Sequence, residues 1–142
     1  MFEKLIARFR APFVDLTPMP PADTRHALGA LMVRVAKADG SYLFQEIEEI
    51  DHLSADLYGF NAVQAAKFRA ECEKLEVAMP DTPRLTDILT QTIDTDERDI
   101  LVAALWKVAD ADGQRHETEQ AVVAIATQSL GMSPEDAAAL RG

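Results

Sequence analysis

The chain has 142 residues, 48% of them hydrophobic, which suits one domain with a buried core and is too apolar for a disordered chain. Its 24 acidic and 14 basic residues leave a net charge of −10, which repels phosphate backbones, argues against nucleic-acid binding and suits cations or basic partners. A single cysteine, Cys72, excludes an internal disulfide and a multi-thiolate zinc site; with no membrane-length apolar run and no secretory signal, the expected location is cytoplasmic.

In chain order, residues 1–10 place Phe2, Leu5, Ile6 and Phe9 on one helical face, with Lys4, Arg8 and Arg10 elsewhere. Three basic residues against Glu3 make this stretch +2 and the remainder −12. Ten residues bury too little for stable membrane anchoring, so the segment reads as an N-terminal helix that covers the core or frays. A helix lying on a membrane or a partner is the alternative. Pro12, Pro18, Pro20 and Pro21 make residues 11–22 a linker, and the globular domain is expected over 23–142.

From Asp23 the apolar spacing is helical. Leu28, Leu31, Met32, Val35 and Ala36 predict a first helix that stops at Gly40. A second covers 44–58, with Ile47, Ile50, Leu53 and Leu57 as its stripe and Gly59 as its stop. Asn61 and Gln64 form a capping box for a long third helix that ends near Met79-Pro80, and Cys72 falls inside it as a small buried residue. Thr82-Pro83 predicts an N-cap and N1 proline for a short helix over 83–92. Thr95 is expected to cap a helix running to Gly113, with Trp106 as core filler. Helices over 117–130 and from Ser133-Pro134-Glu135 complete the chain. No segment alternates like a strand, so the fold class is all-α, a bundle of about seven to eight helices.

The bundle contains a repeat. Val35-Ala36-Lys37-Ala38-Asp39-Gly40 and Glu46 return as Val108-Ala109-Asp110-Ala111-Asp112-Gly113 and Glu119, at a constant offset of 73 residues from Asp39 to Asp112. Such a period predicts two pseudo-symmetric helical units packed by their apolar stripes.

What recurs most faithfully is Asp-Gly followed by a glutamate. Asp39 and Asp112 are expected at helix C-termini, where the macrodipole disfavours them by a few tenths of a kcal/mol, so each calls for a compensating interaction. One reading is local: the aspartates accept loop or helix N–H groups, the glutamates reach back as caps, and Arg34 or Lys107 pairs with a carboxylate. The expected N-cap positions, Leu43 and His116, are poor caps, which favours a borrowed one. The other reading is a divalent-cation site. Asp39, Glu46, Asp112 and Glu119 supply four carboxylates if the turns meet, and Asp110 and His116 add donors in the second copy, for Ca, Mg, Mn or Zn. An EF-hand is excluded, because Val108 or Val35 occupies the first loop position, which must supply an oxygen.

The same blocks resemble the two signature segments of the TerB-like family, named for a tellurite-resistance protein and similar to the N-terminal domain of the DjlA co-chaperones. The resemblance covers about residues 24–140. It implies an all-α bundle with internal pseudo-symmetry, an acidic cation-binding surface and a part in tellurite or general stress resistance. Its signature positions are Asp39, Glu46, Asp112 and Glu119; Leu43 and His116 stand where a small capping residue is common in the family.

The expected function is therefore a non-enzymatic binding module that works through protein partners, a cation, or both. One alternative is a small metal-dependent hydrolase using the Asp/Glu cluster. His26, His52 and His116 are dispersed, however; Glu48 and His52 read as an exposed helix contact, and no phosphate loop or nucleophile elbow exists. The other alternative is a peripheral membrane adaptor acting through residues 1–10.

Overall fold

A computed structural model describes residues 17–113 and 116–142. The described residues form seven helices: α1 (Thr24–Lys37), α2 (Phe44–Tyr58), α3 (Ala62–Ala78), α4 (Thr82–Thr90), α5 (Thr95–Ala109), α6 (Glu117–Ser129) and α7 (Pro134–Ala139). They contain no strand, and the chain is all-α as the spacing predicts. None of these helices is long and apolar enough to cross a membrane. The helix expected over residues 1–10 and most of the expected linker lie outside the described residues.

The architecture follows from α1. Nine of its 14 residues are buried, from Ala27 to Ala36, so it is apolar nearly all round and belongs at the centre of the bundle. The other long helices and α4 pack around it. Small residues let them come close: a β-carbon on Gly29 would lie 2.2 Å from Cys72 Sγ of α3. Cys72 is fully buried there, as expected. Arg34 then fastens the far end of α1 to α3. Its guanidinium donates to the Glu76 carboxylate and to the carbonyls of Glu76 and Met79, at 2.9 and 2.6 Å, satisfying acceptors that the end of α3 leaves unpaired.

α2 packs on α5 as well as on α1, and α6 packs on α1 as well as on α5. Each helix that follows an Asp-Gly turn thus leans on the helix that precedes the other turn, and this crossed packing sets both turns at one end of the bundle. Trp106 is core, as expected, and its Nε1–H donates to the Ala137 carbonyl of α7 at 2.8 Å. The Arg141 guanidinium lies over its ring, 4.5 Å from the centroid.

Two helix starts differ from expectation by one residue. Asp81, not Thr82, caps α4, and Asp94, not Thr95, caps α5. In each case an aspartate directly precedes the threonine, and its carboxylate accepts the N–H of the third helical residue, Arg84 or Glu97. α1 and α5 also stop earlier than expected, at Lys37 and Ala109, so Asp39 and Asp112 stand in the turns beyond them.

Candidate functional site

The two turns have the same local construction. Gly40 and Gly113 adopt φ of 83° and 78°, a left-handed conformation that a β-carbon disfavours, which accounts for glycine after both aspartates. Seven residues after each aspartate the chain places a glutamate as the third residue of the next helix, Glu46 of α2 and Glu119 of α6. Both N-caps, Leu43 and His116, make no side-chain capping bond. A third-position glutamate ordinarily reaches back over its own helix start in water. Here both are sunk into the protein, Glu46 at 0% exposure and Glu119 at 1%.

The turns meet. One donor atom each from Asp39, His116 and Glu119 lies within 4.8 Å of the others, so the first turn and the second contribute to one cluster. The Glu46 carboxyl stands beside that of Glu119, and Asp39 and Asp112 are close enough to add their charge. Asp112 Oδ2 lies 2.8 Å from His116 Nε2 and fixes the ring. Four carboxylates and one imidazole converge.

Hydrogen bonding separates the two readings of the motif. Asp39 Oδ1 accepts the Ser41 N–H at 2.9 Å, and Glu46 Oε1 accepts the Leu43 N–H at 3.0 Å; both are local caps. Capping accounts for nothing more. Glu46 Oε2 and both Glu119 oxygens are buried and reach no donor among the described residues. No described lysine or arginine forms an ion pair with Asp39, Glu46 or Glu119. A cap contributes about 1 kcal/mol, whereas a buried unpaired charge costs several kcal/mol.

Electrostatics follow from this burial. Removal from water, and then the neighbouring Glu46 carboxyl, push the Glu119 carboxyl up to about 9. At neutral pH and without a cation Glu119 therefore holds a proton. The hydrogen bond to Asp112 raises the His116 imidazole above its ordinary value, with burial opposing.

The structure brings together five of the six candidate ligands. Asp110 is engaged elsewhere: Arg141 grips its carboxylate through Nε at 3.0 Å and a terminal nitrogen at 2.5 Å, tying the end of α5 to the C-terminus. Arg34 pairs with Glu76 instead of a turn carboxylate, and Lys107 is exposed. Neither of the cations expected to neutralise the motif locally forms an ion pair with Asp39, Glu46 or Glu119 among the described residues. His52 forms an exposed pair with Asp56, one turn on, instead of with Glu48. Sequence reasoning missed depth: a glutamate in a helix's first turn signals a cap, and only the crossed packing of α2 and α6 shows that it is buried.

Comparison with known proteins gives one finding. The family model described as Tellurite resistance protein TerB matches residues 25–142. No curated protein and no solved structure matches the chain.

Proposed function

The chain belongs to the TerB family of tellurite-resistance proteins, and from that premise we propose that it is a non-enzymatic binding module whose two turns close over a divalent cation. The observation that carries this reading is the trio of buried carboxylate oxygens, Glu46 Oε2 and both of Glu119, which have no donor among the described residues. A cation supplies the positive partner they lack. Asp39, Glu46, Glu119 and His116 would hold it, with Asp112 orienting the imidazole from behind. Carboxylates with one imidazole suit Mn²⁺ or Zn²⁺ better than Ca²⁺, which prefers six to eight oxygens.

Depth favours binding over catalysis. Glu46 and Glu119 are closed off from any substrate-sized group. A groove of about 650 Å³ along α2 is lined by Glu48, Asp51 and His52 but by none of the five clustered residues. The cation acts as a cross-link between the two turns, and the surface so fixed is what a protein partner in tellurite or stress resistance would read.

The test is thermal unfolding of the full-length protein after chelation, then with Mn²⁺, Zn²⁺, Mg²⁺ or Ca²⁺ added, for the wild type and Glu119→Gln. The expected result is a rise in Tm with Mn²⁺ or Zn²⁺ that Glu119→Gln abolishes. An unchanged wild-type Tm at millimolar concentrations of all four ions would contradict the proposal.

A further inference from the structure

The end of the bundle away from the cation cluster holds a second feature. A cleft of about 410 Å³ opens between the start of α1, the end of α2, the end of α4 and the first turns of α5. α1 is 14 residues long, so the cleft stands about 20 Å from the Asp-Gly turns. Buried Leu28, Leu89 and Leu101 form its floor, with half-buried Ile93 beside them. Leu57 and Ile100, 37% and 56% exposed, stand at its lips. Apolar surface therefore continues outside the cleft, and a small molecule seated on the floor would leave it uncovered. Thr24 and Thr92 spend their hydroxyls on each other at 2.6 Å; the charged groups of the lining are Arg25 and Glu97.

What the cleft takes follows from Arg25. Two other arginines of the chain serve helix ends: Arg34 donates to the Glu76 and Met79 carbonyls at the end of α3, and Arg98 to the Leu130 carbonyl at the end of α6. Arg25 precedes Arg98 by the repeat's 73 residues, yet it serves no helix end. Its guanidinium lies over the Tyr58 ring, 4.8 Å from the centroid, and makes no hydrogen bond or ion pair among the described residues. Asp23, two positions before it, is held by His26. Arg25 thus presents free donors on an aromatic platform at the mouth of an apolar cleft. The group that matches them is the set of unpaired carbonyls at a helix C-terminus. Arginine and tyrosine together at such a rim are the residue types that carry binding energy. Charge completes the match. Asp96 and Glu97 stand exposed on α5 within a turn of Ile100 and form no ion pair among the described residues, on a chain of net charge −10. Basic residues in the last turns of an incoming helix meet both, and they suit that helix's own dipole.

We propose that this cleft docks the C-terminal turns of a partner protein's basic amphipathic helix. Its apolar ridge fills the cleft, its last carbonyls accept from Arg25, and its lysines or arginines face Asp96 and Glu97. A second copy of this chain would bring the same charge of −10 against those carboxylates, so the occupant is a different protein.

The test adds a synthetic helical peptide, with leucines at i, i+3, i+4 and i+7 and lysines in its last turns, to ¹⁵N-labelled full-length protein in the presence of chelator. Chelation keeps the cation cluster out of the readout, so a failure here leaves the cation reading standing. Amide shifts are expected to gather at residues 24–28, at Leu57 and Tyr58, and at residues 93–101. In fluorescence anisotropy, affinity should fall about fivefold or more in each of Ile100→Ser, Arg25→Ala and the Asp96→Asn/Glu97→Gln pair, all of them surface positions. It should fall about tenfold or more when glutamates replace the peptide's lysines. Shifts spread evenly over the acidic surface would overturn the proposal. So would an affinity that Ile100→Ser and Arg25→Ala leave unchanged, which is charge attraction alone. The absence of any binding at millimolar peptide would overturn it as well.

Discussion

Glu119 concentrates the cost of the site. Its two oxygens are buried without a donor, and its neighbours of like charge are Glu46, Asp39 and Asp112. Glu119→Gln keeps a neutral donor beside Glu46 without the proton uptake that folding of the wild type requires at pH 8, so the metal-free variant should be more stable than the wild type there, by on the order of 1 kcal/mol or more in chemical denaturation. A loss of stability would mean that the carboxylate has a partner the account omits. The pH dependence follows from the same group. Its folded value of about 9 exceeds the ordinary 4.5, so the folded state holds the extra proton between these limits. Metal-free stability should fall as pH rises from about 5 to 9, by at most ~1.4 kcal/mol per pH unit. His116 acts in the same direction, because the stabilisation from its raised value is present below its ordinary 6.5 and lost as pH rises through the raised one. Urea midpoints across that range measure the slope. A flat or rising metal-free profile would contradict the assignment.

Between elements, the contacts to test are those of α1 with α3. A methyl group on Gly29 would collide with Cys72 Sγ and press on Phe68 at 3.2 Å. Gly29→Ala should therefore destabilise by about 1–3 kcal/mol. Cys72→Ala removes the sulfur, and the double variant should recover a large part of the loss, a coupling that a double-mutant cycle reads directly. Arg34→Ala should cost about 1–3 kcal/mol: Lys37 still pairs with the Glu76 carboxylate at 2.7 Å, but the carbonyls of Glu76 and Met79 at the end of α3 lose their side-chain donor. These contacts also mark where sequence reading stops. The stripe of α1, the Asn61–Gln64 box and the glycine stops are local patterns, and each helix was legible from them. The partner of Arg34 lies 42 residues away on α3, and that of Asp110 lies 31 away at the C-terminus. No local spacing encodes such pairings. The shifted caps at Asp81 and Asp94 have a smaller cause, two good capping residues side by side.

At the scale of the molecule, the two Asp-Gly turns meet because α2 and α6 each pack across onto the helix that precedes the other turn. The motif and its spacing were visible in the chain, and they single out Asp39, Glu46, Asp110, Asp112, His116 and Glu119, of which Asp110 pairs with Arg141 instead. That the turns face one another, and that both glutamates are buried, arises from packing between residues about 73 positions apart. An account built on capping alone would leave the turns independent. A shared cation would make them one unit, and the proposal therefore predicts that hydrogen exchange at both turns slows together when Mn²⁺ or Zn²⁺ is added and speeds together on chelation.

The most direct measurement is a Mn²⁺ titration of ¹⁵N-labelled full-length protein followed by amide line broadening. One ion shared by both turns predicts that amides of residues 39–46 and of the second turn through Glu119 broaden at the same substoichiometric Mn²⁺, ahead of the exposed acidic face of α2. Broadening confined to one turn, or spread evenly over the acidic surface, would contradict it.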